Sequence, residues 1–132
     1  MPTVPEHLGE AEANIRLYEK LIADVEYPPA WALVVLYYAA VHLARGAATS
    51  AGFGPFSSHI AFDSILQKDM KAPYHIYKTY RHLKDDSEKA RYDIVSFEAE
   101  YVKTLRATEF AKFRTWALAQ ISRNSPKANG SG

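Results

Sequence analysis

Trp31-Ala-Leu-Val-Val-Leu-Tyr-Tyr-Ala-Ala-Val-His42-Leu-Ala-Arg45 is apolar almost all round, and a helix of that composition belongs at the centre of a fold, with the rest of the chain wrapped about it. At helical spacing one side carries Leu33, Leu36, Tyr37, Ala40 and Leu43, and the opposite side carries Trp31, Val34, Val35, Tyr38, His42 and Arg45. Tyr38, His42 and Arg45 therefore share a face. A hydroxyl, an imidazole and a guanidinium buried without partners would each be costly, so other helices are expected to supply partners, and His42 to lie largely buried against one of them.

Working outward, Thr3-Val-Pro-Glu6 has the form of a capping box. Leu8, Ala11, Ile15, Tyr18, Ile22 and Val25 then recur three and four residues apart, which predicts a first helix of about 20 residues. Tyr27-Pro-Pro-Ala30 ends it and Pro29 suits the first turn of the next helix, so the two form a tight antiparallel hairpin. The second helix runs to about Ser50. Gly52, Gly54 and Pro55 break the pattern, and Ser57 or Ser58 can cap a short helix from His59 to about Lys68. Pro73 opens a further helix with Ile76, Tyr77, Tyr80 and Leu83 on one side, interrupted near Asp85-Asp86-Ser87, with residues 87–92 a brief helical turn. A last long helix is expected from Ser96 to about Asn124, and residues 125–132 form a small polar tail expected to be mobile. No stretch has the period of a strand. The expected architecture is all-α: an antiparallel bundle of four main helices plus one or two short ones, in a single domain over residues 1–124.

The chain has 132 residues and no cysteine, which excludes disulfides, thiolate metal sites and a cysteine nucleophile. The start shows no basic region followed by an apolar core, so no signal peptide is expected. The Trp31 to Leu43 run falls short of the roughly 18 apolar residues that span a bilayer. A soluble, cytoplasmic protein with no membrane partner is the expectation. The net charge of +1 hides an asymmetry: residues 1–63 carry seven acidic and three basic side chains, and residues 64–132 carry eight acidic and thirteen basic ones. That split can orient an acidic partner or a second copy of the chain. No Gly-rich phosphate loop, nucleophile elbow or zinc-protease motif occurs, and no metal or cofactor is expected.

Four constellations can carry chemistry. Tyr38, His42 and Arg45 can move a proton and hold phosphate charge, or simply satisfy one another in a core. His59 stands at a helix N-terminus, where the dipole favours the neutral ring of a base or ligand; surface capping explains it equally. The segment from Tyr74 to Tyr92 interleaves Tyr77, Tyr80 and Tyr92 with Arg81, His82, Lys84 and Arg91. Such a stretch can stack on unpaired bases while neutralising phosphates, or pack its tyrosines inward behind a solvated basic face. On the last helix Val102, Arg106, Glu109 and Phe113 follow one another at helical spacing, placing Arg106 and Glu109 inside an apolar arc. That pair can line a polar channel or, the preferred reading, sit in a subunit interface.

The Tyr-Tyr-Ala-Ala-Val-His centre of the second helix, Ser58-His59 opening the next segment, and Tyr80-Arg-His-Leu83 to Ser87-Glu-Lys-Ala-Arg-Tyr92 resemble, in that order, the HEPN group of small helical domains, over about residues 8–122. The resemblance implies a HEPN-like fold, a homodimer, and a setting in toxin–antitoxin pairs or defence. Many HEPN proteins are metal-independent ribonucleases that join two copies of an Arg-x(4–6)-His motif, and no arginine of this chain is followed by a histidine at that spacing. The expected function is therefore a nucleic-acid-associated or partner-binding domain, with possible partners RNA, another protein or a second copy. Binding residues are Tyr38, Arg45, Tyr80, His82 and Tyr92, with Arg106 and Glu109 at an interface. One alternative is a ribonuclease with a non-standard site drawn from His42, His59, Arg81 and Arg91. Another is a small-molecule binder with a pocket between the second and fourth helices.

Overall fold

The structure is a computed structural model that describes residues 2–56, 59–93 and 95–125, the side chains of 59–61 excepted. Residues 126–132 of the polar tail, and the two serines expected to cap the short helix, lie outside the described residues. Among these residues the fold is all-helical. Helix α1 is Val4–Ala23, α2 Pro29–Ser50, α3 His59–Ser64, α4 Tyr74–Tyr92, α5 Ala99–Leu105 and α6 Ala111–Asn124. A π turn, Ile65–Asp69, prolongs α3, and a second, Arg106–Phe110, joins α5 to α6 as one rod.

Local chemistry sets the ends of the first two helices. Thr3 Oγ1 accepts the Glu6 amide at 3.3 Å and Glu6 Oε1 accepts the Thr3 amide at 2.8 Å, which completes the capping box. At the far end of α2, Phe53 donates to the Ala48 carbonyl and Gly52 to that of Thr49, both at 3.0 Å. That pairing needs a left-handed residue between, and Gly52 supplies it at φ +90°.

Helix α2 is the centre. Leu33, Leu36, Tyr37, Ala40 and Leu43 are all buried, and α1, α4 and α6 pack around it. Against it, α1 runs antiparallel, so that His7 near its start meets His42 near the end of α2. At 22 residues, α2 is longer than its most apolar run and is long and apolar enough to cross a membrane by length and composition; 67% of that stretch, however, is buried inside the fold. Most of its apolar surface is covered by other helices. Tyr80 of α4 is the aromatic hub of the core, with ring centroids 6.1 Å from Tyr37, 5.8 Å from Phe62 and 5.9 Å from Phe113.

Two expectations of local structure are corrected. Helix α4 runs through Asp85-Asp86-Ser87 without a break, because Asp86 is buried and accepts a hydrogen bond from Tyr101 of α5 instead of capping a new helix. The last helix begins at Ala99, not Ser96: Glu98 is extended, and Phe97 stacks on Tyr101 at 6.0 Å ahead of the first turn.

Candidate functional site

The stripe of α2 divides into a closed end and an open end. At the closed end His42 Nδ1 lies 3.2 Å from His7 Nδ1 of α1, with ring centroids 5.5 Å apart. The partner that His42 required comes from another helix, but His42 itself is part-buried and not largely buried as expected, because it also borders a cavity. His7 is only 4% exposed. Burial first, then the neighbouring His42 and Arg45 charges, hold the His7 pKa below the usual histidine value. Burial likewise lowers that of His42, against the pull of Glu10, which favours the charged ring. Glu6, Glu10 and the two histidines line a cavity of about 300 Å³. On the other side of His7, Arg45 lies 6.0 Å from the Phe56 ring centroid beside a cavity of about 140 Å³, with its Nε buried and unpartnered.

His7 was not among the sequence candidates. Its signal was His7-Leu-Gly-Glu10, a histidine and a carboxylate one helical turn apart on the helix that packs against His42.

The basic and aromatic residues of α4 point in several directions. Tyr80 is fully buried with its hydroxyl unpartnered, so it is a core residue and not a stacking platform; burial raises its pKa. Arg81 donates to Asp63 at 2.7 Å, and Lys84 donates to the same oxygen at 3.0 Å. His82 faces the last helix. Tyr101 donates its hydroxyl to Asp86 at 2.5 Å, which leaves the tyrosine oxygen to accept from His82 Nε2 at 2.9 Å. His82 Nδ1 lies 3.0 Å from a carboxylate oxygen of Glu109. This network of four side chains joins α4 to α5 and the second π turn. Burial and the Asp86 hydrogen bond raise the Tyr101 pKa, which unsuits it to act as a nucleophile.

The π turn also redirects the Arg106 and Glu109 pair. An extra residue in the turn rotates the rest of the helix by about 100°, and the two side chains part. Arg106 reaches Glu19 of α1 at 3.6 Å and lies over Phe110, while Glu109 goes to His82. Neither partners the other, and each has a partner within its own chain.

At the open end, Arg91 donates to the Tyr38 hydroxyl at 3.2 Å, and its guanidinium carbon lies 5.9 Å from the Tyr38 ring and 5.0 Å from that of Tyr92. Beside it Leu21, Trp31, Val34, Val35 and Ala90 line a recess of about 430 Å³. Trp31 is 53% exposed and Tyr92 76%, so this face of α2 is not core. Around the corner Asp85, Glu88 and Asp93 outnumber Lys89 in a second recess that Tyr92 also lines.

Among the described side chains of the catalytic candidates, His42 has an arginine of the sequence-based site residues beside it, Arg45. Arg81 and Arg91 are engaged with Asp63 and Tyr38 respectively, and the His59 side chain lies outside the described residues. A further cavity, about 560 Å³, is a groove between the start of α4 and α6, lined by His75, Ile76, Thr108, Lys112 and Trp116 among others. That groove is not between the second and fourth helices, where a ligand pocket was expected; the recess lined by Trp31, Val34 and Val35 of α2 and Ala90 and Arg91 of α4 does lie there. Among the described residues no three His, Asp or Glu side chains are placed to hold a metal ion. In comparisons with known proteins, the chain matches no protein-family model and no curated protein.

Proposed function

We propose that this chain is a HEPN-like, cytoplasmic binding module that works through the open end of the α2 stripe, with a second copy of itself as the first occupant. The observation that carries this reading is Arg91 lying against both Tyr38 and Tyr92, beside an apolar recess with Trp31 on its rim. Trp, Tyr and Arg dominate the binding energy of protein interfaces when they surround a pocket that excludes water. A two-fold dimer is the commonest closed assembly of identical chains, and the HEPN resemblance points the same way, toward a homodimer set beside a partner protein in a toxin–antitoxin or defence pair.

A second reading, single-stranded RNA, is favoured by the two tyrosine faces that flank one guanidinium, an arrangement suited to stacked bases and a phosphate. Charge decides between them. The three carboxylates beside Tyr92 repel a phosphate backbone, whereas a protein partner can meet them with its own cations. Catalysis receives less support, because the arginine and histidine candidates of α4 are held by different partners.

Sedimentation of the wild type and of Trp31→Ala tests this. The expected result is a species of twice the 14.8 kDa monomer for the wild type and a shift to monomer for the variant. A wild type that stays monomeric yet binds RNA, with affinity falling steeply in salt, would overturn the dimer and support the second reading.

A further inference from the structure

The closed end of the stripe carries an inference of its own, independent of the open end. We propose that His7 and His42 form a proton-operated latch that holds the first turns of α1 against α2, closed while the pair carries at most one added proton and released when both rings are charged.

The geometry sets the switch. Two Nδ1 atoms 3.2 Å apart have room for one hydrogen between them, donated by one ring to the lone pair of the other. When both rings are charged, each Nδ1 carries a hydrogen, and two like-charged donors face each other at 3.2 Å in a part-buried contact. They must separate. Two nitrogens are too few to fix a metal ion, and among the described residues no third ligand joins them, so the ligand this pair is built for is the proton.

The surroundings bias the pair toward the closed state. On α1, Glu10 faces His42 and favours a first proton there, while Glu6 is engaged with the Thr3 amide in the capping box. On α2, Arg45 opposes charge on both rings. The loop after α2 contributes the uncharged Pro55 and Phe56. Helix α6 contributes Ile121, uncharged, beside Gly46, and its Arg114 is paired with Glu12. Burial holds both histidines below their usual pKa, so the second proton arrives on the acid side of the ordinary histidine range.

Release is local. Further along α1, Ala11, Ile15 and Tyr18 are buried in the core, so the helix stays attached there while its first turns lift. The cavities on either side of His7 give the rings space to move apart.

Amide hydrogen exchange, corrected for the intrinsic effect of pH, tests the latch in the full chain. On going from about pH 7.5 to about pH 5, across the ordinary histidine range, protection of the amides from His7 to Ala11 is expected to fall about tenfold or more. Protection at Phe113 and Ala117 is expected to hold. His7→Gln and His42→Gln are each expected to abolish the acid response of α1, and either variant suffices if the other fails to fold. Unchanged protection in the wild type overturns the proposal. So does an acid response in either folded variant as large as the wild type's, or a loss spread equally over α6.

Discussion

Tyr37 and Tyr38 are neighbours in sequence, and Tyr38 and His42 stand one helical turn apart on the same stripe, yet the three face three different environments. Tyr37 is 1% exposed against Tyr80. His42 is closed over by His7. Tyr38 is left at the surface with Arg91. An apolar helix is therefore not uniformly core. The chain covers one end of the stripe with its own α1 and leaves the other end, rich in aromatic rings, open. The closed end bears on stability and acid response, the open end on association.

The largest effect should separate the two tyrosines. Tyr37→Ala is expected to cost about 3–5 kcal/mol, the range for removing a large buried ring, and Tyr38→Ala no more than about 1 kcal/mol, the worth of one exposed hydrogen bond. Chemical denaturation reads both, and equal losses would erase the distinction between the faces.

Next in size is the contact beneath the histidine pair. A Cβ at Gly46 would stand 3.4 Å from His7 Cβ and 3.5 Å from Ile121 Cδ1, which is ordinary contact. Gly46→Ala is expected to be neutral or stabilising by up to about 1 kcal/mol through helix propensity. Gly46→Leu, by contrast, should cost about 1–3 kcal/mol through overpacking, read as a lowered Tm.

The tie between α4 and α5 should be weaker. Tyr101→Phe removes the hydroxyl that donates to the buried Asp86, and His82 remains within 3.2 Å of that carboxylate. A loss of about 1 kcal/mol is expected, against a larger loss for Asp86→Ala, which leaves the Tyr101 hydroxyl without its acceptor.

The closed end should also show in the pH dependence of stability. His7 and His42 have folded pKa values below the unfolded one, so the unfolded chain binds protons more readily. Stability is then full above the ordinary histidine pKa and is lost as pH falls through it toward the lowered folded values. Thermal melts of His42→Gln should show a shallower acid decline than the wild type. The smallest effect on stability belongs to the open end: Tyr92→Ala is expected to change it by about 0.5 kcal/mol at most, while weakening self-association about tenfold or more if Tyr92 is a hot spot.

How far the molecule could be read from its sequence depends on the range of the interactions involved. The capping box at Thr3, the Pro28-Pro29 break and the end of α2 are local devices, and each was legible. Asp85-Asp86-Ser87 misled because its best local role was a cap, while its actual partner, Tyr101, arrives from another helix. The π turn at Arg106–Phe110 has no periodic signature, and one extra residue was enough to send Arg106 and Glu109 to different helices. Tyr80 read as either platform or core, and only the meeting of Tyr37, Phe62 and Phe113 decides for core. At the closed end the stripe announced that His42 needed a partner, but not that the partner was a second histidine on α1.

The central claim is that the open end of α2 is where this chain meets a second copy. The two tryptophans of the sequence, Trp31 and Trp116, place a probe inside and outside that surface, and their indole N–H signals can be followed by NMR as the protein is concentrated through the micromolar range. A concentration-dependent shift or broadening of the Trp31 signal, with Trp116 unmoved, is the result expected. Movement of Trp116 alone, or of neither, contradicts the claim.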